Sequence, residues 1–143
     1  FLSESRAIWT YLEGLHPEPN LMGTTAEERA FIEMADRQVE FHLLATIANF
    51  VRHTHPGLLA LENPQFPDFG TAQGKKMLEY AALFDARLAS QPWIAGDRFT
   101  IADITAFCGI EFARLVKFKP GDSGLPHLAA WRDRVAERPS ARV

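Results

Sequence analysis

The sequence predicts an all-α fold, a helical bundle of five segments. In each segment apolar residues recur every three or four positions, which is the period of an amphipathic helix. One segment is apolar almost all round, as is typical of a helix at the centre of a bundle. No run of residues alternates between apolar and polar in the way that a half-buried strand does. With 143 residues, 47% of them hydrophobic, the chain is long enough to bury one core.

The first helix is predicted over residues 3–14, and a linker follows over residues 16–25. Ser3 or Ser5 is available as the helix cap, and Gly14 is a stop signal. The linker is rich in turn-forming residues. These are Pro17, Pro19, Asn20 and Gly23.

A long second helix is predicted to begin after Thr25 and to end before Pro56. Thr25 lies three residues before Glu28, which is the spacing of a capping box. We expect two apolar seams on this helix to be buried. The first is Phe31, Met34, Phe41, Leu44, Ala45, Ala48 and Val51, and the second is Val39, Leu43, Ile47 and Phe50. Residues 58–70 show no sustained period, so they are predicted to form a packed loop.

Three more helices are predicted over residues 71–90, 101–118 and 127–138. Proline residues follow the first and the last of them, and proline cannot continue a helix. The middle one is the helix that is apolar almost all round. It contains Cys108, which we expect to be a small core residue.

A capping box opens this central helix. Thr100 is the cap and Asp103 stands at the third helical position, while Phe99 and Ile104 occupy the positions of a hydrophobic staple. Each orphaned amide at a buried helix end costs about 1 to 3 kcal/mol. We therefore interpret Asp103 as a structural residue rather than a catalytic one.

Composition disfavours several classes of function. The net charge of -3 gives no general attraction to nucleic acid, and no apolar stretch is long enough to span a membrane. Cys108 is the only cysteine, so no metal site can be built on paired thiolates. His42 and His53 lie three helical turns apart, and His55 completes no ligand set, so we expect no metal. A soluble protein of the reducing cytoplasm is the expectation.

The string from Trp93 to Asp103 resembles the motif that opens the central helix of the second domain in cytosolic glutathione S-transferases. Residues 4–12 resemble the last helix of the thioredoxin-like first domain of that family, and residues 131–140 are similar to its late helix. The resemblance implies that residues 1–15 end a thioredoxin-like domain, with the linker at 16–25 and an all-helical domain over 26–143. Since the chain starts at Phe1, we expect it to be a fragment from which most of the first domain is absent.

The resemblance also implies a binding site for glutathione as co-substrate. The Glu4 carboxylate would accept a hydrogen bond from the ammonium of the γ-glutamyl group. Ser5 and the helix amides would donate hydrogen bonds to the carboxylate of that group. From the residues alone, Glu4 and Ser5 would equally suit any first helical turn. In some bacterial members a polar residue reaches across the dimer to glutathione, and Asp36 occupies a comparable place. The alternative for Asp36 is an ordinary surface ion pair.

The long helix lines the electrophile pocket in the family, so Phe41, His42, Leu44 and Ala45 are candidates for that wall. Plain core packing is the alternative for Leu44 and Ala45. The residue that activates the thiol would be a Ser, Tyr or Cys outside this sequence. The resemblance thus implies a bacterial-type glutathione transferase, a cytoplasmic homodimer acting on a small hydrophobic electrophile. An isomerase, a dehalogenase, a disulfide reductase or a non-catalytic binding protein on the same fold remain alternatives.

Overall fold

The computed structural model describes residues 1–142 and is all-helical over that range, as predicted. The α-helices are α1 (Ser5–Leu15), α2 (Ala26–Gln38), α3 (Ala45–Thr54), α4 (Pro67–Leu88), α5 (Ile101–Phe112) and α6 (Pro126–Ala136). A π-helical turn, Val39–Leu44, joins α2 to α3, so these three segments form the single long helix that was predicted. Short 3-10 turns lie at Pro56–Leu58, Ala113–Val116, Gly121–Ser123 and Pro139–Ala141.

Two helix boundaries differ from the prediction by four residues or more. Helix α4 begins at Pro67, inside the expected loop, because proline at a first helical position loses no hydrogen bond. Helix α5 ends at Phe112 rather than at 118. The chain then tightens into a 3-10 turn and reverses at Lys117, whose φ of 61° is left-handed.

Helix α5 lies at the centre and packs against α2, α3, α6 and the π-helical turn. Its Ala102 and Ala106 have no exposed surface, which lets neighbouring helices approach closely. An added Cβ at Gly109 would lie 3.3 Å from the Leu44 side chain. Small residues therefore let α5 sit within the bundle.

The second of the two predicted seams on the long helix faces the core, and of the first seam Val51 is also fully buried. Val39, Leu43 and Ile47 have no exposed surface, whereas Phe31, Met34 and Phe41 are exposed by 50% or more. The expectation that both seams are buried was wrong, because the π-helical turn adds a residue and only one stripe can face α5. Cys108 is also exposed rather than buried, since it lies on the outer side of α5.

Candidate functional site

The amino-terminal end of α1 is open. Ser5 is its first residue and Glu4 is the cap residue, and both are exposed. The Glu4 side chain makes no capping hydrogen bond to the helix. The first amides of a helix have no acceptor within it, and with the helix dipole they favour an anionic group. This end therefore brings together amide donors, a hydroxyl and a carboxylate.

Glu4 has an unusual backbone conformation. Its φ of 68° and ψ of 118° lie outside the left-handed helical region, which Lys117, the other positive-φ non-glycine residue within residues 1–142, occupies. Such a conformation costs about 1 to 3 kcal/mol and tends to occur at ligand sites. The strain falls on the residue that the sequence singled out for glutathione binding.

A chain of charged side chains runs from α1 into the core. Arg6 pairs with Glu33 of α2, and Glu33 Oε1 lies 3.2 Å from Arg37 Nε. Arg37 also pairs with Asp36, with 2.5 Å between Nη2 and Oδ2. The hydroxyl of Thr105 on α5 donates to Asp36 Oδ1 at 2.6 Å. The residue next to Ser5 is thus connected to the central helix.

Asp36 lies in the core rather than on the surface. Its side chain has no exposed area, and both carboxylate oxygens have partners within the chain. Asp36 therefore does not make the ordinary surface pair that was its alternative, because its carboxylate is buried against Thr105 of α5. Its contact with glutathione across a dimer stays a prediction.

The four candidate electrophile-wall residues lie at the π-helical turn and just after it. Phe41 and His42 are exposed, whereas Leu44 and Ala45 are half-buried. His42 stacks on Tyr80 of α4 with the ring centroids 4.9 Å apart. π-helical turns inside helices occur often at functional sites. Arg37 lies 5.6 Å above the Phe41 ring, so the charged chain also touches this wall.

Asp103 joins three parts of the fold. The Thr100 amide donates to Oδ2 at 2.9 Å, which forms the predicted capping box. Oδ1 accepts the Ile94 amide at 3.0 Å and the Trp131 indole N–H at 2.8 Å. Burial raises the pKa of Asp103, and these donated hydrogen bonds oppose that rise. The bond from Trp131 was not predicted, although a tryptophan in a buried seam needs an acceptor for its N–H.

The hydrogen bonds by which Thr25 and Glu28 cap α2 differ from the predicted capping box. The Thr25 hydroxyl accepts the Glu28 amide at 3.1 Å, as expected. The Glu28 carboxylate, however, accepts the Thr24 amide at 2.8 Å and pairs with Arg98. The Thr24 amide bond, followed by the Arg98 bond, lowers the pKa of Glu28 to about 2.

Comparison with known proteins gives a consistent answer. The family model "Glutathione S-transferase, C-terminal domain" matches residues 70–139. The structure of a glutathione S-transferase domain-containing protein from Marinobacter aquaeolei VT8 is 40% identical with a TM-score of 0.89, and the match covers 98% of this chain and 68% of that one. Gtt2 from Saccharomyces cerevisiae is 34% identical with a TM-score of 0.91, covering 99% and 68%. Glutathione S-transferase 2 of the same yeast is 34% identical over 142 residues, 99% of this chain.

This chain belongs to the glutathione S-transferase family. The resemblance carried by the string from Trp93 to Asp103 is confirmed. The chain spans 60% of the length of the yeast Glutathione S-transferase 2.

Two further observations bear on this family member. No group of three or more His, Cys, Asp and Glu side chains within residues 1–142 is arranged to hold a metal ion. None of the helices in that part of the chain is both long and apolar enough to cross a membrane.

Proposed function

We propose that the chain is part of a glutathione-dependent transferase and that Glu4 and Ser5 bind the γ-glutamyl end of glutathione. The observation that carries the proposal is the strained backbone of Glu4 at the open end of α1. A structural cap has no need of this conformation, because the side chain does not bond the helix amides. The Glu4 side chain is exposed, so its carboxylate is available to a ligand.

The γ-glutamyl group is a zwitterion, so it needs both donors and an acceptor. Its carboxylate suits the first amides of α1 and the Ser5 hydroxyl, and the helix dipole adds a partial positive charge. Its ammonium suits the exposed carboxylate of Glu4, in a charge-assisted hydrogen bond. The electrophile would contact Phe41, His42, Leu44 and Ala45, where aromatic and aliphatic surface is available.

The residue that activates the thiol is proposed to lie outside this sequence. We propose that residues 1–15 end a thioredoxin-like domain, that 16–25 link the domains, and that 26–143 form the helical domain. The exposure of Tyr11, Leu12 and Leu15 on α1 supports an upstream partner for that helix. A cytoplasmic homodimer is proposed from the family, and the exposed Phe31 and Met34 supply apolar surface for association.

Other glutathione chemistry on the same fold, as in an isomerase, a dehalogenase or a disulfide reductase, differs in the residue that acts on the thiol. A non-catalytic binding protein is the second candidate class. The strained Glu4 next to Ser5 favours a glutathione-binding protein over a non-catalytic scaffold, because a scaffold has no function that requires the strained backbone.

The test is calorimetric titration of the full-length protein with glutathione. We expect Glu4→Gln and Ser5→Ala each to raise the Kd about five- to thirtyfold, because each removes an interaction worth about 1 to 2 kcal/mol. Ser90→Ala, which changes an exposed serine just after α4, is the matched control and should leave the Kd unchanged. If Glu4→Gln and Ser5→Ala bind glutathione with the same Kd as the unchanged protein and Ser90→Ala, the assignment is refuted. Glutathione binding without turnover of a halogenated nitroaromatic electrophile would count against a transferase and leave the other glutathione chemistries and the non-catalytic class.

A further inference from the structure

Helix α1 is fixed to the bundle by polar contacts. None of its residues is buried, and no other helix in residues 1–142 packs closely along it. Within residues 1–142, its position relative to the bundle therefore depends on a few hydrogen bonds and ion pairs. One is the Arg6–Glu33 pair near its first turn, and the others surround the linker at its far end.

The linker is bound to the last turn of α1 by one carboxylate oxygen. Glu13 Oε1 accepts the Asn20 side-chain amide at 2.8 Å, the Leu21 backbone amide at 2.9 Å and the Met22 backbone amide at 3.0 Å. Hydrogen bonds to an ionised acceptor are stronger than neutral ones. Residues 20–22 are thus held on α1 despite their turn-rich composition.

Arg98 binds the same linker from the side of the bundle. Its Nη1 donates to the Asn20 carbonyl at 2.5 Å and its Nη2 donates to Asn20 Oδ1 at 2.8 Å. Its Nε donates to Glu28 Oε1 at 2.8 Å, which adds the first turn of α2. A guanidinium is a planar fork, so one residue can hold all three acceptors in fixed geometry.

Asn20 therefore lies between two anchors. Its side-chain nitrogen is bound to Glu13 of α1, and its two oxygens are bound to Arg98, two residues before the Thr100 cap of α5. The Ile101 amide also donates to the Leu21 carbonyl, at 3.2 Å. The path from α5 through the linker to α1 is continuous.

We propose that Arg98 is a positioning residue for the glutathione site: it fixes α1 against the bundle and thereby places Glu4 and Ser5 at the other end of that helix. This inference rests on the proposed function. Helix α1 has 11 residues, so it moves as one rigid element of about 16 Å. A tilt allowed at Glu13 displaces Ser5 relative to the wall at Phe41 and His42.

The experiment uses the full-length protein and three variants. Arg98→Met removes the guanidinium but keeps an apolar stem, and Arg98→Lys keeps the charge but cannot bond all three acceptors. Arg114→Met is the matched control, because Arg114 is an exposed arginine paired with Glu111 away from the linker. Hydrogen–deuterium exchange reports on residues 5–25, and calorimetry gives the Kd for glutathione.

We expect Arg98→Met to speed hydrogen exchange of the Leu21 and Met22 amides. We also expect it to raise the Kd for glutathione about fivefold or more, as the loss of a single hydrogen bond to the ligand would. Arg98→Lys should fall between Arg98→Met and the unchanged protein, whereas Arg114→Met should match the unchanged protein in both measurements. If Arg98→Met fails to fold, the inference is tested by comparing the exchange rates and the Kd of Arg98→Lys with those of Arg114→Met.

Unchanged exchange and affinity in the Arg98 variants would overturn the inference. So would faster exchange with an unchanged Kd, because α1 would then move without affecting the site. If the unchanged protein does not bind glutathione, the proposed function fails, and the exchange data alone decide whether Arg98 holds α1.

Discussion

Replacing Asp103 with alanine would leave three buried donors without an acceptor. These are the amides of Ile94 and Thr100 and the indole N–H of Trp131, which lie 2.8 to 3.0 Å from the carboxylate. Asp103, Thr100 and Trp131 are almost completely buried, so water cannot readily replace the lost acceptor. Each unsatisfied donor costs about 1 to 3 kcal/mol, which sums to about 3 to 9 kcal/mol for the set.

That loss is comparable with the whole stability of a domain, about 5 to 15 kcal/mol. We therefore expect Asp103→Ala to give little soluble protein. Asp103→Asn provides the measurable case: its carbonyl oxygen can still accept from Ile94 and Trp131, but its NH2 group then faces the Thr100 amide. Because the Thr100 amide loses its acceptor, we expect the free energy of unfolding to fall by about 1 to 3 kcal/mol.

The assay is urea unfolding followed by circular dichroism, with the midpoint and the m-value fitted separately. Ser90→Ala serves as the surface control. A midpoint for Asp103→Asn equal to that of the unchanged protein, at equal m-value, would refute the claim that this carboxylate joins the three segments.

Two other predictions concern stability. The pKa of Glu28 is about 2 in the folded chain against 4.5 for a free side chain, so its contribution is present above pH 4.5 and is lost as the pH falls towards 2. Glu28→Gln should remove that acid-sensitive component from a series of thermal melts between pH 2 and 6, and an unaltered pH dependence would contradict the assignment. Gly70→Ala should destabilise the chain by about 1 to 3 kcal/mol, since the new Cβ would lie 2.7 Å from the Thr54 side chain. Gly14→Ala, where nothing lies within 4 Å, is the control and should be neutral or slightly stabilising; equal effects of the two substitutions would refute this reasoning.

The glutathione-site candidates came from the sequence with unequal success. Glu4 and Ser5 could be named because a helix start with an acidic residue and a serine is a local pattern. Their binding to glutathione stays a prediction. The burial of Asp36 was not predicted, because it brings Asp36 against Thr105, a residue 69 positions away. The sequence offered no sign of the strain at Glu4, since backbone dihedrals at a cap depend on how the chain enters the helix.

The all-α class and the capping box at Thr100 and Asp103 could be predicted from residues within about four positions of each other, where helix geometry fixes which side chains meet. The central position of α5 and the family could be predicted from longer strings, residues 101–118 and residues 93–103. The tertiary structure was needed to show which seam of the long helix faces the core. It also decided that Trp131 shares Asp103, and that Arg98 binds a linker residue 78 positions earlier. Those pairings join segments whose approach is set by packing of the whole bundle, and packing is not encoded in any local period.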